Sequence, residues 1–148
     1  MTDPSAFRRR FREQTQRQLA ALAVPEGAPL LAAVSGGPDS MAMAHALIGL
    51  GWDVELCHVH HGLRDGSDED ERLVEAAGEA WSTPVKRLGI DTRALSRQWG
   101  VGVEEAARRG RYDALTEAAR RAGRGFVAVA HHADDQVRPT GAGQMSTE

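Results

Sequence analysis

A short apolar run, followed at once by a glycine-rich break and an amphipathic segment, constrains this chain more than any other feature. Residues 30–34 (LLAAV) are continuously apolar, as in strands buried on both faces of a sheet. Residues 35–40 (SGGPDS) interrupt that run, and residues 39–50 place apolar side chains at helical spacing. The sequence therefore predicts a strand, a tight loop and a helix in direct succession.

The same alternation continues along the chain. Further strands are predicted at residues 54–59, 84–88 and 126–130, and helices at about 68–80, 93–99 and 103–122. This spacing predicts an α/β fold, a Rossmann-like parallel sheet wrapped by helices. After residue 136 the segment VRPTGAGQMSTE disfavours a helix and offers no evident strand. We therefore expect the sheet to end after its fourth strand, and residues 137–148 to be a disordered tail.

Length and composition limit the class of protein. A chain of 148 residues suits one domain, and its apolar stretches are far too short to span a bilayer. Because the N-terminus also lacks a secretory apolar segment, we expect a cytoplasmic protein without a membrane partner. Cys57 is the only cysteine, which excludes a disulfide framework or a thiolate zinc cluster within one chain.

The basic residues are unevenly distributed, although the net charge is −3. Five arginines fall between residues 8 and 17, within a helix predicted over about residues 4–24. We treat residues 1–28 as a separate basic segment. Its arginines form either a solvated face that covers the domain or an arm that contacts RNA phosphates.

The break at residues 35–40 offers several kinds of contact to an anion. Its two glycines allow backbone N–H groups to approach closely, its two serines add hydroxyls, and the following helix directs its positive end there. A simple tight turn is the alternative. A Walker loop needs a lysine that is absent here, and a dinucleotide fingerprint needs a third glycine where the chain has Asp39 and Ser40. A carboxylate beside phosphates requires a cation, so Asp39 implies Mg²⁺ or an equivalent countercharge.

A second polar segment, residues 131–135 (HHADD), follows the fourth predicted strand. Ligands of such sheets bind beyond the carboxyl ends of the strands, so both segments face one crevice if the first and fourth strands are neighbours. These side chains also permit a dinuclear metal site, but a ligand run from His58 lacks the aspartate and histidine that it needs after His61. Helix-capping aspartates with packed histidines are a further alternative.

The motif SGGPDS after an apolar strand resembles the SGGxDS signature of the N-type ATP pyrophosphatases, the PP-loop family. Three further segments are similar in order and spacing to segments of tRNA(Ile)-lysidine synthases, a branch of that family. They are residues 58–74 (HVHHGLRDGSDEDERLV), 100–115 (GVGVEEAARRGRYDAL) and 130–136 (AHHADDQ).

This resemblance covers residues 30–136 and implies an adenine nucleotide alpha hydrolase-like fold. It implies that residues 29–136 form a domain that binds ATP and Mg²⁺. The implied enzyme activates the C2 carbonyl of the wobble cytidine of an isoleucine tRNA with ATP, and then joins lysine to that carbon. Isoleucine tRNA and free lysine are the implied substrates, and a homodimer is a further expectation.

The resemblance also implies roles for individual residues. The implied pyrophosphate-binding loop is Ser35, Gly36, Gly37, Pro38, Asp39 and Ser40. Val59 and His60 would neighbour the adenine, and Asp39 and Asp135 would hold Mg²⁺. The implied catalytic residues are Asp39, Arg108 and Asp134, with Arg108 neutralising charge that builds on the phosphates. Without the resemblance, Arg108 is simply a surface arginine of a helix.

The chain departs from the family pattern after Gln136. Family members continue with a short residue, a glutamate, a threonine and an apolar helix, whereas residues 137–140 here are VRPT, with Arg138 at the position of the acid. We therefore expect a truncated domain that binds ATP without releasing pyrophosphate. A binding module without ligase activity, another PP-loop enzyme such as a tRNA thiolation enzyme, and a chain impaired in folding are the alternatives.

Overall fold

A computed structural model of the protein describes residues 27–60, 67–130 and 135–140, together with the isolated helical positions Arg9, Glu13, Gln16 and Arg17. The helix predicted over residues 4–24 falls almost entirely outside the described residues. The same is true of residues 131–134, which include Asp134, and of residues 141–148.

Strands and helices alternate along the described part of the chain. The strands are β1 (Pro29–Ala33), β2 (Asp53–His60), β3 (Val85–Gly89), β4 (Phe126–Ala130) and β5 (Asp135–Pro139). The helices are α1 (Pro38–Gly49), α2 (Ser67–Ala80), α3 (Thr92–Trp99) and α4 (Val103–Arg121). Every strand and helix predicted between residues 30 and 130 is present, with bounds that differ from the prediction by at most one or two residues.

The strands form one sheet in the order β3-β2-β1-β4-β5. β1 pairs in parallel with both β2 and β4, and β2 pairs in parallel with β3. The predicted parallel sheet is therefore confirmed, including the placement of β4 beside β1. Since the order reverses between β1 and β4, the carboxyl ends of these two strands flank the position where sheets of this type bind ligands.

The core lies on both faces of the sheet, because successive side chains of a strand point to opposite sides. On one face, α1 and α2 cover a buried cluster that includes Leu30, Ala32, Leu56, Met43, Leu47 and Val74. On the other face, α4 covers a second cluster that includes Leu31, Cys57, Val59, Leu115, Ala118 and Val127. The apolar runs of β1 and β2 are thus explained by burial on both sides.

The prediction that no strand follows β4 is wrong. Residues 135–139 form β5, which pairs antiparallel with β4 from Ala130↔Asp135 to Phe126↔Pro139. The proline that disfavours a helix is tolerated here, because Pro139 ends a strand at the edge of the described sheet. Thr140 then anchors the strand, with its N–H donating to the Gly125 carbonyl at 2.8 Å. Val137 is buried against the core, so residues 137–139 belong to the sheet and not to a tail.

Arg124 joins the strands at the end of the sheet opposite the carboxyl ends of β1 and β4. Its guanidinium donates to Glu55 Oε1 at 3.1 Å, to the Asp53 carbonyl at 2.9 Å and to the Leu30 carbonyl at 3.3 Å. The Arg124 side chain is only 14% exposed. This arginine therefore ties β1 and β2 to the segment that leads into β4.

None of the helices in the described ranges combines the length and apolarity needed to cross a bilayer.

Candidate functional site

The loop between β1 and α1 is closed by hydrogen bonds between its own two serines. The Ser35 N–H donates to Ser40 Oγ at 3.0 Å, and the two hydroxyl oxygens lie 3.1 Å apart. The Gly37 N–H donates to Ser35 Oγ at 3.2 Å, and the Ser40 hydroxyl donates to the Gly37 carbonyl at 3.3 Å. Both hydroxyls thus shape the loop through hydrogen bonds within it.

Gly36 brings this loop against α2 in a conformation that favours glycine. Its φ is +88°, and a Cβ atom added there would lie 3.1 Å from Asp70 Cβ and 3.2 Å from the Asp70 carbonyl oxygen. L-residues rarely adopt such a φ, and the backbone of α2 leaves little room for a side chain. Gly36 is therefore required for the packing of the loop against α2, whereas the predicted approach of its backbone to an anion stays a prediction.

The N-terminus of α1 follows the loop directly. Gly37 occupies the N-cap position without a side-chain cap, and Pro38 opens the first turn. The backbone N–H groups of Asp39 and Ser40 have no intrahelical partner by their position in that turn. The helix dipole and these N–H groups together favour a negative group at this end of α1, where the exposed Asp39 carboxylate also lies.

The loop and α4 line one cleft beside the carboxyl ends of β1 and β4. Its volume is about 410 Å³. The lining residues are Ser35, Gly37, Pro38, Asp39, Ser40, Ala107, Arg108, Arg111, Tyr112 and Ala130. The crevice expected at this end of the sheet is thus present, and most of the predicted loop residues line it together with Arg108.

Two arginines reach this cleft from successive turns of α4, and they differ in their partners. Arg108 is exposed and donates to Glu105, with Nη2 2.6 Å from Oε1 and Nε 3.3 Å from Oε2. Arg111 is half-buried, and no hydrogen bond or ion pair of its side chain occurs within the part of the chain that the structure describes. Burial lowers the pKa of Arg111 from its ordinary value, and the nearby Tyr112 opposes that shift. Among the described residues that line the cleft, Arg111 is therefore the cation without an ion-pair partner.

Sequence reasoning missed Arg111 and Tyr112 as cleft residues. The signal was available, because positions three and four residues beyond Arg108 share its face of a helix. Tyr112 also connects the cleft to β5, since the guanidinium carbon of Arg138 lies 4.9 Å from the centre of the Tyr112 ring. The last described strand thus contacts a residue of the cleft wall through a cation–π interaction.

Two other predicted site residues, Val59 and His60, are not among the described residues that line the cleft. Val59 is buried in the core under α4, and the His60 carbonyl accepts from the Ile90 N–H at 3.0 Å. Asp135 begins β5 opposite Ala130, and Asp134 lies outside the described residues. The proposed roles of these four residues therefore stay predictions.

The described carboxylates fit Mg²⁺ only together with a phosphate ligand. Within the described ranges, no group of three or more histidine, cysteine, aspartate or glutamate side chains could hold a metal ion. Mg²⁺ commonly takes one or two carboxylates and completes its shell with water and substrate phosphates. The exposed carboxylate of Asp39, which lines the cleft, suits that mode of binding.

Comparison with known proteins places these features in a family. Residues 11–139 match the PP-loop domain. The chain is 42% identical over 109 residues to a tRNA(Ile)-lysidine synthase of Exiguobacterium sibiricum. The aligned region covers 74% of this chain and 25% of that protein. It is 40% identical over 115 residues to a tRNA(Ile)-lysidine synthase of Geobacter sulfurreducens, and the aligned region covers 75% of this chain and 24% of that protein. The chain thus spans about a quarter of the length of these curated relatives.

Solved structures share the fold at low sequence identity. A U34-tRNA thiolase from Methanococcus maripaludis superposes with a TM-score of 0.72 at 14% identity, over 86% of this chain and 46% of that one. An NMN synthetase from Francisella tularensis gives a TM-score of 0.64 at 16% identity, over 86% and 54% of the two chains. These similarities establish the α/β fold alone, whereas the match over residues 11–139 identifies the family. On that match, together with the SGGPDS loop that it includes, the chain belongs to the PP-loop family.

Proposed function

We propose that this chain binds ATP in the cleft, as the nucleotide-binding part of an enzyme that modifies an isoleucine tRNA. The observation that carries the proposal is that a hydrogen-bonded loop and a helix N-terminus line one cleft together with Arg111. Backbone N–H groups and guanidinium groups are the donors that proteins use for phosphate oxygens. Identities of 40% and 42% to relatives named tRNA(Ile)-lysidine synthase support this substrate class over others.

In this proposal the loop residues 35–40 hold the phosphates that leave as pyrophosphate. Asp39 binds Mg²⁺ jointly with those phosphates, and the ion supplies the positive charge that lets a carboxylate lie beside them. Arg111, and Arg108 once released from Glu105, stabilise negative charge on the phosphates. Asp134 and Asp135 orient the ion, the nucleotide or the lysine amine.

The adenine is proposed to lie near the carboxyl end of β2. Val59 can offer the base only its backbone, because its side chain is 6% exposed and packs in the core. His60 is half-buried at the last position of β2. This assignment comes from the family resemblance, and the cleft lining itself does not include either residue.

The proposed reaction of the whole enzyme has two steps. The C2 carbonyl oxygen of the wobble cytidine attacks the α-phosphorus of ATP, and pyrophosphate leaves. The lysine amine then attacks C2 and AMP leaves. For this chain we propose ATP binding without the transfer, because the chain departs from the family pattern after Gln136 and has Arg138 at the position of the acid.

Calorimetric titration of the purified chain with ATP and Mg²⁺ tests the binding proposal. We expect saturable binding that weakens at least ~10-fold in Asp39→Asn and in Ser40→Ala, since each removes a group that shapes or neutralises the phosphate site. Asp113→Asn is the matched control, because Asp113 is an exposed carboxylate of α4 outside the cleft lining. Unchanged affinity in both loop variants would contradict the phosphate-binding role of the loop.

Pyrophosphate release separates the binding module from the complete enzyme. The chain is incubated with ATP and Mg²⁺, with and without an isoleucine tRNA transcript. We expect binding without release in both samples. Release that requires the transcript and disappears in Asp39→Asn would instead establish an active tRNA-modifying enzyme.

A further inference from the structure

A buried histidine lies directly behind the loop, at a position that the proposed function does not use. His58 of β2 is 4% exposed and points to the same face of the sheet as Leu56, which packs in the core covered by α1 and α2. Its Nδ1 lies 2.9 Å from the carbonyl oxygen of Val34, the residue that precedes the loop. Because a carbonyl oxygen can only accept, Nδ1 carries the hydrogen and donates it.

This hydrogen bond continues the connection between β1 and β2 beyond the end of their pairing. The parallel register ends at Ala33↔Cys57, and the Val34 N–H still donates to the Cys57 carbonyl at 2.9 Å. The Val34 carbonyl accepts instead from the side chain of His58. A side chain of β2 therefore takes the place that a backbone donor would have in a longer ladder.

The peptide group between Val34 and Ser35 is held at both of its polar ends. Its carbonyl accepts from His58 Nδ1 at 2.9 Å, and its N–H donates to Ser40 Oγ at 3.0 Å. A peptide group is planar, so these two bonds together set the orientation of one rigid plane. Ser40 acts on that plane from within the loop, and His58 acts on it from the core.

The other ring nitrogen of His58, Nε2, is buried and makes no hydrogen bond within the described residues. A buried nitrogen without a partner is unfavourable, so packing alone would favour an apolar side chain at this position. The bond from Nδ1 is the polar contact that accounts for a histidine here.

We propose that His58 is a positioning residue for the phosphate loop. By fixing the Val34–Ser35 peptide plane, it holds residues 35–40 in the conformation that lines the cleft. The effect on ATP binding rests on the proposed function, whereas the effect on the order of the loop does not.

The test compares two substitutions that differ in one hydrogen bond. His58→Asn places an amide N–H close to the position of Nδ1, whereas His58→Leu fills the space without a donor. In the ligand-free protein, we expect amide hydrogen exchange of the loop to rise ~10-fold in His58→Leu and to stay within ~3-fold of wild type in His58→Asn. ATP affinity should follow the same pattern, with a loss of ~10-fold in His58→Leu alone.

A control on the same strand separates loop order from general stability. Leu56→Val shortens a fully buried side chain of the same face, which cannot hydrogen-bond to the loop. We expect it to lower the unfolding midpoint while loop exchange and ATP affinity stay at wild-type levels. If His58→Leu fails to fold, His58→Gln replaces it, because its amide N–H reaches the position of Nε2 and not that of Nδ1.

Two results would overturn the proposal. The first is a rate of loop hydrogen exchange in His58→Leu that equals the wild-type rate. The second is an equal rise of loop hydrogen exchange in His58→Asn and His58→Leu. Failure of the wild-type chain to bind ATP would contradict the proposed function only, since the exchange measurement decides the role of His58 without ATP.

Discussion

Arg108 and Glu105 form a two-point ion pair along one turn of α4, with Nη2 2.6 Å from Oε1 and Nε 3.3 Å from Oε2. Arg111 lines the same cleft one turn further along, and its side chain makes no ion pair within the described ranges. A guanidinium that is paired with a carboxylate has two of its five N–H donors engaged and part of its charge neutralised. The two arginines therefore differ in how readily they can bind a phosphate.

Replacement of these arginines should affect ATP binding unequally. We expect Arg111→Gln to weaken ATP binding ~10-fold or more, because it removes a charge-assisted hydrogen bond from a half-buried site. Arg108→Gln should lower ATP affinity less than ~3-fold, since the exposed Arg108 already pairs with Glu105. Calorimetric titration measures both. Arg109→Gln is the control, because Arg109 stacks over Trp99 at 4.3 Å and lies outside the cleft lining. A larger loss in Arg108→Gln would reverse this ranking.

Removal of the charge of Glu105 should make Arg108 available to the nucleotide. We expect Glu105→Gln to increase ATP affinity ~2–5-fold, since it frees a guanidinium and removes a negative charge close to the cleft. The gain should vanish in the double variant Glu105→Gln, Arg108→Gln, measured by the same titration. A gain that persists in the double variant would show that Glu105 acts through its charge alone.

Gly36 and Gly51 provide a comparison of strain with and without steric contact. Their φ angles are +88° and +87°, but an added Cβ would lie 3.1 Å from Asp70 Cβ at Gly36 and meets nothing within 4 Å at Gly51. We expect Gly51→Ala to lower the free energy of unfolding by ~1 kcal/mol and Gly36→Ala to lower it by ~2–3 kcal/mol. Urea titration measures both values. Equal losses of stability would show that α2 moves to accommodate the new methyl group. ATP affinity should fall only in Gly36→Ala, because Gly36 lies in the loop and Gly51 does not.

Arg124 should stabilise the fold without affecting the cleft. Arg124→Met removes the partner of Glu55, which is 15% exposed, and frees the carbonyls of Asp53 and Leu30. We expect a loss of ~2–3 kcal/mol in the free energy of unfolding and unchanged ATP affinity, because Arg124 lies at the opposite end of the sheet. Arg121→Met should cost less than ~0.5 kcal/mol, since its pair with Glu117 is exposed. A comparable loss in the two variants would contradict a special role of Arg124.

Cys57 should make stability fall at alkaline pH. Burial raises the pKa of the Cys57 thiol from 9.0 to about 12, with Lys86 acting in the opposite direction. As the pH rises above 9, the thiol therefore ionises in the unfolded state before it does so in the folded state. This lowers the free energy of unfolding by up to ~1.4 kcal/mol per pH unit. We expect wild type to lose more stability than Cys57→Ala between pH 8 and 10.5, measured by urea titration. Parallel pH profiles of the two proteins would contradict this assignment.

The local elements of this fold could be predicted because their signals are local. The apolar run before residue 35, the helical spacing after residue 38 and the stop at Gly123 each depend on neighbouring residues alone. β5 was not predicted, because its signal is not local. A strand at an edge with a proline at its end has no strong pattern of its own, and Asp135–Pro139 becomes a strand through pairing with β4.

The candidate site divides in the same way. Ser35, Gly37 and Asp39 could be predicted because a motif places them next to one another, whereas Arg111 and Tyr112 reach the cleft only because α4 packs across the sheet. The partner of Arg108 follows from helical spacing, but the absence of an ion-pair partner for Arg111 within the described ranges is known only from the structure.

The sequence by itself determined the succession of strands and helices, the SGGPDS loop after β1 and, through its motifs, membership of the PP-loop family. Only the tertiary structure decided how the loop is held. His58 lies 24 positions beyond Val34 and reaches its carbonyl because β2 pairs alongside β1. Hydrogen bonds between distant residues depend on the packing of whole elements, and no local pattern of side chains encodes them.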